Sequence, residues 1–294
     1  SAGDAAVSYA AGVEYRQEKG QSTPDAAYAS GDAIGFGASS PIDAQIDISE
    51  VFGELLIPVA RDLPFAKAAN LEAGIRFAQY ENSVGGEGAD FDNTSFKIGG
   101  DWSPVDSLRF RAMFQRAVRA PTLKEIGEAR TPAITELSFD PCEGTNPLGD
   151  PALEQLCLDT GVPPARLGTV TSIIAGQIGA FTGGSVALQP EEADTVTVGF
   201  VLQPEWLPGF TASVDYYRIE IEDGIVEPVA QNVVNACYDI EQNASAPFCQ
   251  RIVRSPVSGS LNAGPTVGIE ITRLNASFES AEGIDFGASY ALPV

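Results

Sequence analysis

The stretch Pro190–Glu222, PEEADTVTVGFVLQPEWLPGFTASVDYYRIEIE, contains two alternating runs on either side of the turn QPEWLPG. In the first run, Thr195–Leu202, apolar side chains take every second position, which is the period of a β-strand with one apolar face. The second run, Thr211–Glu222, also alternates, but its apolar positions move by one residue between Tyr216 and Tyr217. The stretch therefore predicts a β-hairpin with a β-bulge between the two tyrosines.

The same alternation recurs along the chain and predicts about nine strands. They are expected at about 5–16, 44–59, 65–80, 91–102, 108–119, 195–202, 211–222, 266–275 and 283–290. Short turns follow the even-numbered strands, whereas long loops at about 17–43, 120–189 and 223–264 and a shorter glycine-rich loop at 81–90 follow odd-numbered ones. An antiparallel up-and-down meander with this parity is typical of outer-membrane barrels. The sequence therefore predicts an all-β fold over residues 1–294 that forms part of a transmembrane β-barrel, with long disulfide-bearing loops outside the cell.

In such a wall, the alternation separates a face towards lipid from a polar interior face. The residues expected to face lipid are Val196, Val198, Phe200, Ile98, Phe110 and Ile284. Those expected to face the interior are Thr195, Thr197, Lys97, Arg109 and Asp285. Trp102 and Trp206 lie beside short turns, which is consistent with an aromatic girdle at the inner membrane interface.

Composition restricts the function classes. The chain has 40 acidic and 17 basic residues, a net charge of -23 and no histidine. A nucleic-acid surface needs clustered lysine and arginine, and most catalytic triads and zinc sites need histidine. No apolar run approaches the roughly 20 residues of a membrane-spanning helix, so a membrane would be crossed by strands. We therefore expect no nucleic-acid partner, no enzymatic activity and no cofactor or metal.

The four cysteines form two local pairs, each within a long loop. Their spacing predicts the disulfides Cys142–Cys157 and Cys237–Cys249 and an oxidising compartment. Acidic residues around the first pair offer oxygen ligands of the kind that Ca²⁺ prefers, although such loops are more often merely solvated. These residues are Asp140, Glu143, Asp150, Glu154 and Asp159.

The segment at the end of the fifth predicted strand, RAPTLKEI at 119–126, resembles a motif of the TonB-dependent outer-membrane receptors. That family carries Arg-Ala-Pro-x-x-x-Glu-Leu at the top of one barrel strand, and Ile126 stands here in place of the leucine. The matching segment contains Arg119, Ala120, Pro121, Leu123 and Glu125. Weaker matches in the same order are GVEYR at 12–16, FGELLIP at 52–58, KIGGDWSP at 97–104, LQPE at 188–191, VDYY at 214–217 and GID at 283–285.

The resemblance implies energised import across the bacterial outer membrane. In this family a 22-stranded barrel surrounds an N-terminal plug, a substrate binds the loops and plug, and the TonB complex pulls on the plug. The chain would supply wall and loops, with membrane lipid, the plug, the rest of the barrel and, through the plug, TonB as partners. The sequence shows nine predicted strands but neither a plug nor a C-terminal aromatic strand, so we expect the chain to be an internal piece of a barrel wall. Ser1–Asp4 lacks the features of a signal peptide.

Two groups of residues are candidates for contacting a substrate. Inward charges can line the import path, or they can face only water and the plug: Glu54, Glu72, Arg76, Lys97, Asp101, Arg109, Arg111, Asp215 and Asp285. Arg119 is expected to bond the plug or a neighbouring loop at the rim. Loop aromatics can stack on sugars, or they can pack their own loops: Phe139, Phe181, Tyr238 and Phe248.

Acidic loops would repel an anionic ferric siderophore but not a neutral ligand. Receptors that this sequence resembles include importers of glycans, so a neutral oligosaccharide is the first hypothesis for the substrate. A ferric siderophore or cobalamin is the second. A secreted acidic β-sheet structural or adhesive protein is the alternative from another class, and it would stay soluble without detergent.

Overall fold

The computed structural model of the chain describes residues 6–32, 38–171 and 173–292. Ser1–Asp4 and the last two residues, on which expectations about processing and chain ends were placed, lie outside these ranges. The described strands are β1 (Ser8–Ser22), β2 (Ile42–Leu63), β3 (Ala66–Val84), β4 (Glu87–Val105), β5 (Leu108–Arg119), β6 (Thr131–Glu136), β7 (Gln177–Thr182), β8 (Glu191–Leu202), β9 (Phe210–Val226), β10 (Ile252–Val253), β11 (Gly268–Glu270) and β12 (Leu274–Tyr290). The α-helices are α1 (Ala26–Ser30), α2 (Leu123–Gly127), α3 (Pro151–Asp159) and α4 (Ala230–Asn235). Among the described residues, no helix is both long and apolar enough to cross a membrane.

Eight strands form an open antiparallel sheet, which we call the wall. Its order is β1-β2-β3-β4-β5-β8-β9-β12. The hairpin predicted from Pro190–Glu222 is confirmed as β8 and β9. Short turns join β2 to β3, β4 to β5 and β8 to β9 at one rim, called the lower rim, while the long loops leave the upper rim. The predicted meander is therefore confirmed.

Three local predictions about the wall were wrong. No bulge separates the tyrosines of β9, because Tyr216 and Tyr217 oppose the consecutive residues Val198 and Thr197. Residues 276–282, predicted as a turn, continue β12, so the last two predicted strands contribute one strand to the wall. The predicted loop at 81–90 is a tight hairpin turn, in which Gly85 and Gly86 adopt φ values of 59° and 94°, as a two-residue turn between right-twisted strands requires.

The outward face of the wall is apolar in a broad belt. The exposed residues on it include Val51, Leu55, Leu71, Ile75, Phe77, Ile98, Phe110, Phe114, Val196, Val198, Ile284 and Phe286. At the lower rim the Trp102 ring stacks on Phe110, and its Nε1 donates to the Phe65 carbonyl at 2.9 Å. Trp206, also at this rim, is exposed. An apolar belt bordered by aromatic residues fits contact with lipid.

The two faces exchange polarity near the upper rim. Inward positions of β2 above Glu50 are apolar and buried, and Ile46 and Ile48 are 2% and 3% exposed. On β9 the outward Arg218 and Glu220 form an ion pair with N···O 2.6 Å, whereas the residues between and beyond them face inward. This exchange explains the shifts in apolar phase that the sequence shows on both strands, and neither strand needs a bulge there.

One row of directly opposed residues crosses the wall and changes from apolar to charged along its length. It consists of Gly53, Ile75, Phe96, Arg116, Asp194 and Glu220. The outward face becomes polar between Val51 and Ser49 on β2, about three residues above this row, and between Tyr216 and Arg218 on β9, about three residues below it. The two levels therefore differ by six residues, or about 20 Å, along the strand direction. Across five strand spacings of roughly 4.8 Å each, this difference gives a strand tilt of about 40°, within the range of outer-membrane barrels.

Above the upper rim, the loops 120–189 and 223–273 fold together into one compact unit, which we call the cap. Its four-stranded sheet has the order β10-β11-β7-β6, and the parallel pair β11–β7 joins the two loops. Its buried core includes Leu137, Val162, Ile178, Val233, Val234, Leu261 and Ile269 together with all four cysteines. The predicted strand at 266–275 is therefore split between the cap, as β11, and the start of β12.

Candidate functional site

The motif segment at the end of β5 fastens the cap to the wall. The Arg119 guanidinium donates to both oxygens of Glu125 at 3.0 and 3.2 Å and to Glu191 at the start of β8. Glu191 also accepts from the backbone N–H of Ile225 at 2.7 Å. These contacts join β5, α2, β8 and the end of β9, where both long loops begin. The partners of Arg119 are thus its own loop and the adjacent strand β8, and contact with a plug or a neighbouring loop stays a prediction.

Glu125 also shapes the helix that follows the motif proline. Its carboxylate accepts from Thr122 N–H at 2.8 Å, while the Thr122 hydroxyl accepts from Glu125 N–H, which together form a capping box for α2. Burial alone would raise the pKa of Glu125, but hydrogen bonds from Arg119 and Thr122 hold it below its ordinary value. Glu125 is therefore an ionised anchor, and the spacing of six residues between Arg119 and Glu125 is what lets one turn bring them together.

The remaining motif residues pack α2 into the upper part of the inner wall. Ala120 and Leu123 contact a buried cluster, and Pro121 is buried where it ends the β5 ladder. The core of this cluster comprises Ala44, Ile46, Ile48, Ala78, Tyr80, Ile126 and Leu188. Gly127 lies so close to β2 that an added Cβ would be 2.7 Å from the Cβ of Ala44. Apolar burial and the Arg119 contacts thus both hold the start of loop 120–189 against the wall.

Inside the cap, a buried polar network joins the two loops. Arg254 donates to both oxygens of Asp140 at 2.6 and 2.7 Å and to the Tyr238 hydroxyl at 3.2 Å. The Tyr238 and Thr160 hydroxyls lie 2.6 Å apart. Burial would lower the pKa of Arg254, but its contacts with Asp140 and Tyr238 raise it above the ordinary arginine value. Asp140, considered as a calcium ligand, is instead the partner of a charged arginine.

Both predicted disulfides are present. Cys142–Cys157 ties the segment after β6 to α3, and Cys237–Cys249 closes the segment after α4. The Tyr238 hydroxyl lies 3.2 Å from Cys142 Sγ, so the two disulfides border the same buried network. The disulfides and the Asp140–Arg254 pair therefore hold one core.

The four loop aromatics differ in exposure. Phe139 is 53% exposed, whereas Phe181 and Tyr238 are 3% and 5% exposed. Phe181 lies under the Arg130 guanidinium at 3.6 Å, and Phe248 packs against the cap core. Phe139 and Tyr238 border an open cleft of about 350 Å³, together with Asn146, Asp150, Leu153, Asp239 and Gln242. Contact of any of these residues with a ligand stays a prediction.

The inward charges of the wall pair with one another across strands. Arg76 contacts Glu50 at 2.5 Å, Lys97 contacts Glu72 at 2.6 Å, and Arg111 holds Asp215 through two bonds of 2.7 Å. Arg109 contacts Asp101 at 3.1 Å. The interior face is therefore polar but largely neutralised pair by pair. Sequence reasoning missed Glu50, because it lies where the apolar phase of β2 changes.

The comparisons with known proteins assign the family. The profile of the family described as TonB dependent receptor-like, beta-barrel, matches residues 1–291. The chain belongs to the TonB-dependent receptor family. Members of this family are transport proteins of the bacterial outer membrane, which places this receptor chain there. No curated protein sequence matches the chain.

The chain is similar to solved structures of TonB-dependent receptors at low sequence identity. The siderophore receptor PirA from Acinetobacter baumannii has a TM-score of 0.50 and 14% identity over 97% of this chain and 32% of its own. The FrpB iron transporter from Neisseria meningitidis has a TM-score of 0.49 and 14% sequence identity, over 98% of this chain and 31% of its own. The Serratia marcescens hemophore receptor HasR, in complex with HasA and heme, has a TM-score of 0.47 and 13% sequence identity, over 97% of this chain and 38% of its own. The chain thus spans about a third of the length of these receptors.

Proposed function

We propose that the chain is the wall and extracellular capture surface of a TonB-dependent importer of a neutral oligosaccharide. The observation that carries the proposal is the charge of the cap. Residues 120–189 and 223–273 contain thirteen acidic and six basic side chains. A surface of this sign disfavours an anionic ferric chelate, because like charges repel at close range.

The cap's basic side chains are also engaged with partners inside the cap itself. Two of the arginines bind carboxylates firmly: Arg130 bonds Glu270 at 2.8–3.1 Å, and Arg254 is buried against Asp140. Arg251 donates to two carbonyls, Arg166 to one, and Arg273 and Lys124 lie 3.5–4.0 Å from glutamates. Recognition of an anionic chelate would have to break these contacts, whereas sugar hydroxyls can accept and donate without doing so.

A ferric siderophore or cobalamin remains the second hypothesis. The proteins of similar structure include an iron transporter and a siderophore receptor, but a sequence identity of 14% supports no inference about the substrate. Cobalamin differs from a ferric siderophore in carrying no strong negative charge. The charge of the cap therefore argues against the siderophore more strongly than against cobalamin.

Deletion of the gene in the source bacterium tests the proposal. We expect the mutant to lose uptake of at least one series among malto-, xylo-, cello- and chito-oligosaccharides while its iron-limited growth is unchanged. Complementation with the native gene serves as the control. Reduced uptake of ferric siderophore or cobalamin, with unchanged use of every oligosaccharide, would contradict the proposal.

A further inference from the structure

The cleft on the cap combines an exposed aromatic ring with a rigid backbone. The Gln231 side chain of α4 clamps the residue that carries this ring, since it accepts from Phe139 N–H at 3.0 Å and donates to the Phe139 carbonyl at 3.2 Å. The same amide accepts from Ser138 N–H at 3.1 Å and donates to Asn235 at 2.9 Å. The ring is therefore held out towards solvent by a fixed segment, and it is not the tip of a mobile loop.

The next residue in the chain is fixed equally firmly. Asp140 is 2% exposed and bonded to Arg254, and its Oδ1 also accepts from Cys142 N–H at 3.0 Å. Cys142 is in turn held by its disulfide to Cys157. Because the Phe139 ring is exposed, it contributes little to the stability of the cap by burial. Its backbone is nevertheless held by three separate constraints, which is the arrangement expected of a binding platform. Such preorganisation lowers the entropic cost of binding.

Besides the ring, the cleft lining offers polar groups with free acceptor capacity. The Asn146 and Gln242 amides each donate to a backbone carbonyl, which leaves their side-chain oxygens free as acceptors. The Asp239 carboxylate has no hydrogen-bond or ion-pair partner within the described part of the chain. Arginine and lysine are absent from the described lining of the cleft. Its volume of about 350 Å³ is at the lower end of the range of small-ligand sites, roughly 300–1,000 Å³.

We infer that this cleft is the sugar subsite of the receptor, in which the Phe139 ring stacks on one neutral sugar ring and Asn146, Asp239 and Gln242 accept its hydroxyl protons. The inference rests on the proposed function, because it assigns a place to the oligosaccharide. A stacked apolar sugar face and several acceptors are complementary to the lining, and an anion finds no cationic partner there. A small cation is the competing occupant, since carboxylates and an aromatic face also suit positive charge.

The test uses the native receptor in outer-membrane vesicles and fluorescently labelled neutral malto-, xylo-, cello- and chito-oligosaccharides. For the series that the native receptor binds, we expect Phe139→Ala to lower the association constant about tenfold. Phe139→Tyr keeps an aromatic face and should bind within about threefold of the native protein. Ile134→Ala, on the exposed edge strand β6 of the same cap and outside the cleft lining, is the matched control and should bind as the native protein does.

A second pair of measurements separates a neutral ligand from a cation. For a sugar, Asp239→Asn keeps an acceptor and should change binding by less than about threefold, and added salt should have little effect. Loss of binding in Asp239→Asn with steep weakening by salt would assign the cleft to a cation and overturn the inference. Equal binding by the native receptor and Phe139→Ala would refute the subsite while leaving oligosaccharide import intact. Absence of binding by every series would refute the proposed function itself.

Discussion

At the residue scale, the buried pair of the cap shows how far the sequence is informative. Asp140 and Arg254 are 114 positions apart, and each lies in a segment without regular alternation. The short spacing within each cysteine pair sufficed to predict both disulfides. Nothing in the sequence indicates that Arg254 would reach Asp140, because the two loops come together only through long-range packing. Gln231, which holds Phe139, was missed for the same reason.

Removal of the Arg254 side chain should unfold the cap while leaving the wall intact. In Arg254→Met the Asp140 carboxylate stays buried without its partner, and breaking such a pair costs roughly 3–5 kcal/mol. Hydrogen exchange of the native and variant receptors in membranes, followed by mass spectrometry, measures the loss of protection of cap amides. Arg166→Met is the matched control, because Arg166 donates only to the Val257 carbonyl at 3.3 Å and should cost no more than about 1 kcal/mol. Equal protection of the cap in both variants would contradict this role of the buried pair.

At the scale of the elements, the strands inside the lipid belt were predictable and their extensions above it were not. Alternation between an apolar and a polar face found β8 and most of β9. Above the belt, β12 carries Ser280 and Glu282 outward and Glu279, Ala281 and Gly283 inward. Its apolar period therefore disappears, and residues 276–282 were predicted as a turn. On β9, the apolar residues pass from the outward to the inward face after Tyr216, and this change was predicted as a bulge. Both errors arose because one hydrophobic pattern was assumed along the whole strand.

The attachment of α2 to the wall should depend on pH. The folded pKa of Glu125 is lowered, so its stabilising contribution is complete above its unfolded value, about 4.3, and is lost as pH falls through the lower folded value. The side chain of Lys124 is exposed, so a spin label at Lys124→Cys can report the mobility of α2. We expect an immobilised spectrum at neutral pH and a growing mobile component below about pH 4.

Glu125→Gln provides the control for this titration. The amide cannot form the ion pair with Arg119, so the mobile component should be present already at neutral pH. The four cysteines of this chain are all in disulfides, so within the chain the label reports one site. A native spectrum that stays immobilised down to pH 3 would show that apolar packing of Ile126 and Leu188 holds α2 without Glu125.

At the scale of the whole molecule, the line where the outward face turns polar crosses the wall obliquely. It passes between Val51 and Ser49 on β2, and between Tyr216 and Arg218 on β9. A membrane surface is flat, so this line marks one depth, and the strands must tilt by about 40° to place both points on it. Exposed apolar side chains below the line should then contact lipid tails, and charged ones above it should contact headgroups.

Depth measurements can test this placement directly. Single spin labels at Val51 and Tyr216 should report the same depth from their relative accessibility to oxygen and to a water-soluble nickel chelate. Labels at Ile75 and Asp194, which belong to one row of the wall, should differ in depth. Three strand spacings of roughly 4.8 Å separate them along the row, so a tilt of about 40° places Ile75 deeper by about 9 Å. Equal depths for Ile75 and Asp194, with Val51 and Tyr216 about 20 Å apart, would mean that the rows run parallel to the membrane and that the strands do not tilt.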